Sequence, residues 1–117
     1  MASLTKIALS GATYGAPIAV AATSIGSGTT IHTAQATTTA GLGDEVVLYA
    51  ANIDSSAHTL TLGIAGTATA NTCQVAIAAN TTVQVLPGHL MMNSQVLYAA
   101  GDSTNKINVF GYVIRSQ

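Results

Sequence analysis

The imidazoles, thiol and carboxylates of this chain are few: His32, His58 and His89, Cys73, and Asp44, Glu45, Asp54 and Asp102. A metal site built from one element needs two ligands at i, i+2 or i, i+4, and no two histidines stand at that spacing. The three are read as surface or internally hydrogen-bonded residues. Cys73 with His89 could in principle pair a nucleophile with a base. Alternation, however, sets Cys73 on one face with Val75 and Ile77, which predicts a buried, inert thiol. Asp44 and Glu45 are adjacent and point to opposite faces of a strand, while Asp54 and Asp102 sit in turn sequences. Turn and strand-edge roles are expected for all four. The glycine pairs 26/28 and 41/43 lack the following helix and the lysine of a phosphate cradle. The chain is therefore expected to be no enzyme, with no metal and no cofactor.

Binding chemistry is equally sparse. Nucleic acid is an unsuitable partner for a chain whose only basic side chains besides histidine are Lys6, Lys106 and Arg115. Carbohydrate modules use exposed aromatic platforms, and of Tyr14, Tyr49, Tyr98, Phe110 and Tyr112 all but the first fall in apolar runs that suit core or interface burial. Asn80-Thr81-Thr82 fits the glycosylation acceptor pattern, which matters only in a secreted chain. Two features suit protein contacts. Leu90, Met91 and Met92 follow a predicted Pro87-Gly88 turn and read either as an adaptable interface or as a short core strand. Tyr14, in a segment of small residues, reads as an anchor for a partner or as a tyrosine folded back on its own domain.

The elements that would position these residues are strands. Leu60, Leu62 and Ile64 alternate with Thr59, Thr61 and Gly63; Cys73, Val75 and Ile77 alternate with Gln74 and Ala76; Val83 and Val85 alternate with Thr82 and Gln84. Each has one apolar and one small polar face, as in a sheet packed on one side. Residues 44–52 and 106–115 are apolar on both faces, which suits central strands or strands covered by a neighbouring subunit. Gly111 reads as a bulge within the second. Residues 4–9, 18–25, 29–33 and 95–100 are weaker strands. Turns are expected at 26–28, 41–43, 54–56, 87–88 and 101–103. This pattern predicts an all-β fold: a single-domain β-sandwich or jelly roll of about 7–9 antiparallel strands over 18–117. Residues 1–17 form either an N-terminal arm or an ordinary first strand.

Length and charge then bound the function. The 117 residues and 49% hydrophobic content suffice for one core. Only 6% of residues are charged, against roughly 25% in an ordinary soluble domain. A folded monomer of this size exposes about 5,900 Å², so each charge serves roughly 800 Å². A surface so neutral is expected to face protein. Apolar runs are too short for a spanning helix, so no membrane partner is expected. Ser10, Gly11, Thr13, Tyr14 and Gly15 interrupt any signal-peptide core after Lys6. The single cysteine excludes an internal disulfide and fits folding inside a cell.

The succession TTIHTA, DEVVLYAAN, HTLTLGIAG, VQVLPG, VLYAAG and INVFGYVIR, spanning residues 29–115, resembles the small β-sandwich virion proteins of tailed phages, capsid decoration or cement proteins among them. The likeness lies in strand and turn order and brings no catalytic residues. It implies a homo-oligomer, a trimer foremost, made in the host cytoplasm and seated on the capsid surface. Its partner there would be the major capsid protein. A tail, baseplate or head-fibre part, or a small carbohydrate-binding module, are the alternatives.

Overall fold

Thr, Val and Ile dominate the runs between turns, and their branched side chains suit a pleated, half-buried surface. In a computed structural model that describes residues 3–117, nine strands and two 3₁₀ turns follow from them. The strands are β1 (Leu4–Ile7), β2 (Ile18–Ala19), β3 (Thr29–Thr33), β4 (Gly43–Asn52), β5 (His58–Ile64), β6 (Thr72–Ile77), β7 (Thr82–Met91), β8 (Val96–Gly101) and β9 (Ile107–Ser116). They form two antiparallel sheets: a five-stranded sheet ordered β1-β9-β4-β7, with β2 also on β9, and a four-stranded sheet ordered β3-β8-β5-β6. The chain is thus a single all-β unit with two packed layers. Of the 1–17 segment, Leu4–Ile7 pairs with Val113–Ser116 and Leu9 is buried in the core, whereas residues 1 and 2 lie outside the described residues.

The core is filled by the inward half of each alternation: Val46, Leu48 and Ala50 on β4, Leu60 and Leu62 on β5, and Val109 and Val113 on β9, all without accessible surface. As expected, the runs at 44–52 and 106–115 supply the two central strands of the larger sheet, β4 and β9.

Four expectations about local structure are corrected. Pro87-Gly88 is no turn: both residues lie within β7, where Val46 pairs with His89 and Val47 with Pro87, leaving Gly88 as an extra residue. Its φ of +130° is open to glycine alone. A second irregularity between Leu48 and Tyr49 twists this edge strand further. Gly111 is not a bulge, since β4 and β9 keep unbroken register past it. A Cβ there would overlap the Val47 carbonyl oxygen, so close strand approach selects the glycine. Residues 18–25 form a strand only over Ile18–Ala19, and a 3₁₀ turn occupies Ile25–Ser27. Cys73 is exposed: β6 is an edge strand, and its first half lies beyond the cover of the opposite sheet.

Candidate functional site

Five of the charged side chains are gathered into two clusters, one around the buried Asp44 and one at the surface around His58. The first begins with Asp44, which shares the inward parity of Val46, Leu48 and Ala50 and has no accessible surface. Burial of a lone carboxylate is costly, so every lone pair must be met. Arg115, its cross-strand partner on β9, donates through Nε and Nη2 to the two carboxylate oxygens, each at 2.8 Å. Gln35 donates its backbone N–H and its Nε2, each at 3.2 Å. His32 lies 2.7 Å away through Nε2. The backbone N–H of Ser10 donates to His32 Nδ1, so the ring proton sits on Nε2 and points at Asp44. Burial pushes the Asp44 carboxyl up, but the bonds from Arg115 and His32 outweigh it and hold the group below its ordinary 3.8. This carboxylate is therefore a buried structural member rather than the strand-edge residue expected from its sequence.

An imidazole on a carboxylate is half of a catalytic triad, but neither histidine here has a nucleophile to activate. His32 Nδ1 accepts a backbone N–H, while the Ser10 hydroxyl accepts from the N–H of Thr33.

In the second cluster His58 lies between two carboxylates. Nε2 is 2.7 Å from Asp54 and Nδ1 is 2.7 Å from Asp102. When protonated, the ring donates from both nitrogens, one to each carboxylate. The Asp54 bond, followed by that to Asp102, raises the His58 pKa above 6.5. Asp54 is held below 3.8 by His58 and the Ser55 backbone; burial pushes Asp102 up, but His58 and the Thr59 N–H bring it below 3.8. Lys106 stands 4.0 Å from Asp54. The cluster ties the loop after β4 to the loop after β8. His58 contributes stability fully below pH 6.5, and that contribution is lost as pH rises through its raised folded pKa. The carboxylates contribute fully above pH 3.8 and lose it as pH falls through their lowered values. The gap in urea midpoint between the natural protein and His58→Gln is therefore expected to be widest between these limits and to close on the alkaline side. A gap that stays flat from about pH 5 to about pH 9 would contradict the clasp.

Two charges remain outside these clusters, Lys6 and Glu45, and both lie on the outer face of the five-stranded sheet. The middle of that face is apolar and aromatic where a solvated sheet would be polar, with Thr82, Gln84, Asn108 and Ser116 toward its ends and edge. Tyr49 and Phe110 stack with ring centres 5.6 Å apart, and Lys6 Nζ sits 4.7 Å from the centre of the Tyr112 ring. Toward one end, Leu4, Leu90 and Ile114 surround a hollow of about 260 Å³ with Glu45, Gly43 and Ser116. Of the contact residues expected from the sequence, Leu90 is 53% exposed on this face, Met91 is packed in the core, and Met92 is half-buried. Tyr14 stands apart from them, fully exposed on the loop between β1 and β2.

A groove of about 550 Å³ crosses the outer face of the other sheet, lined by threonines including Thr59, Thr61 and Thr72, with Gln74 and Asp102. No aromatic side chain lines it, and Asp102 is already engaged by His58 and the Thr59 N–H. The described residues hold no group of three or more His, Cys, Asp or Glu placed to ligate a metal, and no helix long and apolar enough to cross a membrane. In comparison with known proteins, no family model, no curated protein and no solved structure matches this chain.

Proposed function

We propose that this protein is a non-enzymatic structural subunit of a virion, a decoration protein that binds the assembled capsid shell and stabilises it. The observation that carries the reading is the outer face of the five-stranded sheet: Tyr49, Phe110, Tyr112, Val47, Ile114, Leu4 and Leu90, with only Lys6 and Glu45 for charge. On a chain exposing 5843 Å², a surface so poor in charge is suited to burial against other protein. Strand order supports the same reading. With β1 and β2 counted as one interrupted strand, one sheet runs first, eighth, third, sixth and the other second, seventh, fourth, fifth. This is the jelly-roll order, which viral capsid and lectin domains use. A fold alone does not assign a function, and the apolar face bears the weight here.

The physics is linkage. A protein that binds the assembled lattice and not its dissociated subunits stabilises the lattice by its differential affinity, summed over many copies. Modest contacts suffice when one oligomer grips adjacent capsomers. Added to expanded capsids assembled without it, the purified protein is expected to bind saturably and raise their melting temperature. Absence of both effects would remove the capsid role, and electron microscopy of labelled particles would show whether tail or fibre carries the protein instead.

A further inference from the structure

The most exposed large apolar side chain among the described residues is also the most deliberately presented. Tyr14 has 102% of its reference exposure, so it touches nothing in its own chain. It occupies a tight turn in which Ala16 N–H donates to Thr13 O at 3.0 Å, and both central residues, Tyr14 and Gly15, have positive φ, at 53° and 80°. Such turns favour Asn-Gly, and an aromatic residue at the first central position costs about 1–2 kcal/mol of backbone strain. The loop is nevertheless fixed at its root. Gly11 N–H donates to Ile31 O, the Ser10 hydroxyl accepts from Thr33 N–H, and Leu9 is buried in the core at 2% exposure. A strained turn on a fixed base holding an apolar ring in water is a contact device without its counterpart.

The counterpart is present on a different part of the same molecule. The hollow of about 260 Å³ between Leu4, Leu90 and Ile114 is apolar on its sides, and Glu45 lies in its lining. It falls below the roughly 300 Å³ at which ordinary small-molecule pockets begin, and suits one inserted side chain. A phenol ring would be packed by the three aliphatic residues, and its O–H would donate to the Glu45 carboxylate, the one charged group in the lining. The surrounding sheet face is four strands wide and up to ten residues long, roughly 600 Å² from strand spacing and rise, near the roughly 800 Å² per partner of a standard interface.

We infer that Tyr14 of one subunit inserts into the Leu4–Leu90–Ile114 hollow of a second copy of this chain, linking copies head to tail. Knob and hollow are different patches, so the contact is heterologous and every subunit both gives and receives one; rotation that closes produces a ring. The inference takes from the proposed function only that the outer face is covered by protein, and names the protein that covers this end of it.

Sedimentation of the full chain tests it. The natural protein is expected to sediment as a closed oligomer, whereas Tyr14→Ser and Leu90→Lys each sediment as monomers with unchanged circular dichroism. Both substitutions are at exposed positions, so the fold is retained. Mixing the two variants is the sharper measurement. Tyr14→Ser keeps the hollow and Leu90→Lys keeps the knob, so an equimolar mixture is expected to form two-chain complexes that neither variant forms alone. A monomeric natural protein, an oligomer that survives Tyr14→Ser, or a mixture that stays monomeric overturns the inference. Capsid binding is scored separately: a monomer that still saturates capsids removes the ring and leaves the capsid role standing.

Discussion

Arg115→Ala is expected to cost the fold about 3–5 kcal/mol, read as a fall in urea midpoint at unchanged denaturant slope. The loss comes from Asp44 rather than from the arginine. Asp44 has no accessible surface, and the guanidinium supplies two of its charge-assisted hydrogen bonds. Without them a buried carboxylate keeps only His32 and Gln35 as donors. Burial then dominates and pushes the carboxyl upward, so the variant takes up a proton at higher pH than the natural protein. The natural protein keeps the full contribution of Asp44 above pH 3.8 and loses it as pH falls through its lowered folded value. Exchanging both partners, Arg115→Met with Asp44→Asn, removes the stranded charge and is expected to recover most of the loss. A double variant no better than Arg115→Ala would mean that the cost is lost packing of the arginine stem.

How far the sequence foretells this arrangement differs by element. The central strands were legible because their apolar pattern on both faces has few other uses, and β5 was legible from the strict alternation of Leu60 and Leu62 with threonines. Composition points to strand-edge and turn roles for the carboxylates, yet Asp44 has the same parity as Val46, Leu48 and Ala50, the one signal that marks it as inward, and Asn52 closes the other end of that row. Asn52 is nearly buried too, donating to the carbonyls of Ser56, Ile77 and Ala78. The partner of Asp44, His32, was not legible. Alternation would set Ile31 and His32 on opposite faces, yet both have no accessible surface, because the register against β8 slips between Thr30 and His32. A bulge of this kind depends on what the neighbouring strand allows, which local sequence does not encode. Cys73 fails for a related reason: parity assigns a face, but an edge strand can run past the sheet that would cover that face.

The two clusters also sharpen what low charge means. Asp44 and Arg115 face each other inside, and Asp54, Asp102 and Lys106 gather about His58. A chain with few charges thus spends most of them on its own fold. On the outer face of the five-stranded sheet only Lys6 and Glu45 carry charge, whereas Asp102 and Lys106 stay about half exposed in the His58 cluster.

Gly111→Ala tests whether that face depends on the closeness of β4 and β9. The φ of Gly111, +157°, is one that side chains rarely adopt, and crowding from the neighbouring strand adds to that strain. An added Cβ would overlap the Val47 carbonyl oxygen, with Val47 C at 3.0 Å and Leu48 Cα at 3.1 Å. These are backbone atoms of the central strand and cannot rotate away. Relief requires the strands to part in the middle of a ten-pair ladder that runs from Gly43–Ser116 to Asn52–Ile107. Overpacking a core by a methyl usually costs about 1–3 kcal/mol, and displaced ladder bonds add about 1 kcal/mol each, so a loss of about 3–5 kcal/mol is expected. Gly41→Ala is the control: its φ of +87° disfavours a side chain, yet no atom lies within 4 Å, and the cost should stay near 1 kcal/mol. Parting the strands also displaces Arg115 from Asp44 and Ile114 from the hollow, since both follow Gly111 on β9. Gly111→Ala should therefore become acid-sensitive and lose self-association together, whereas Gly41→Ala keeps both. Equal costs for the two variants would mean that dihedral strain, and not strand approach, sets the glycine at 111.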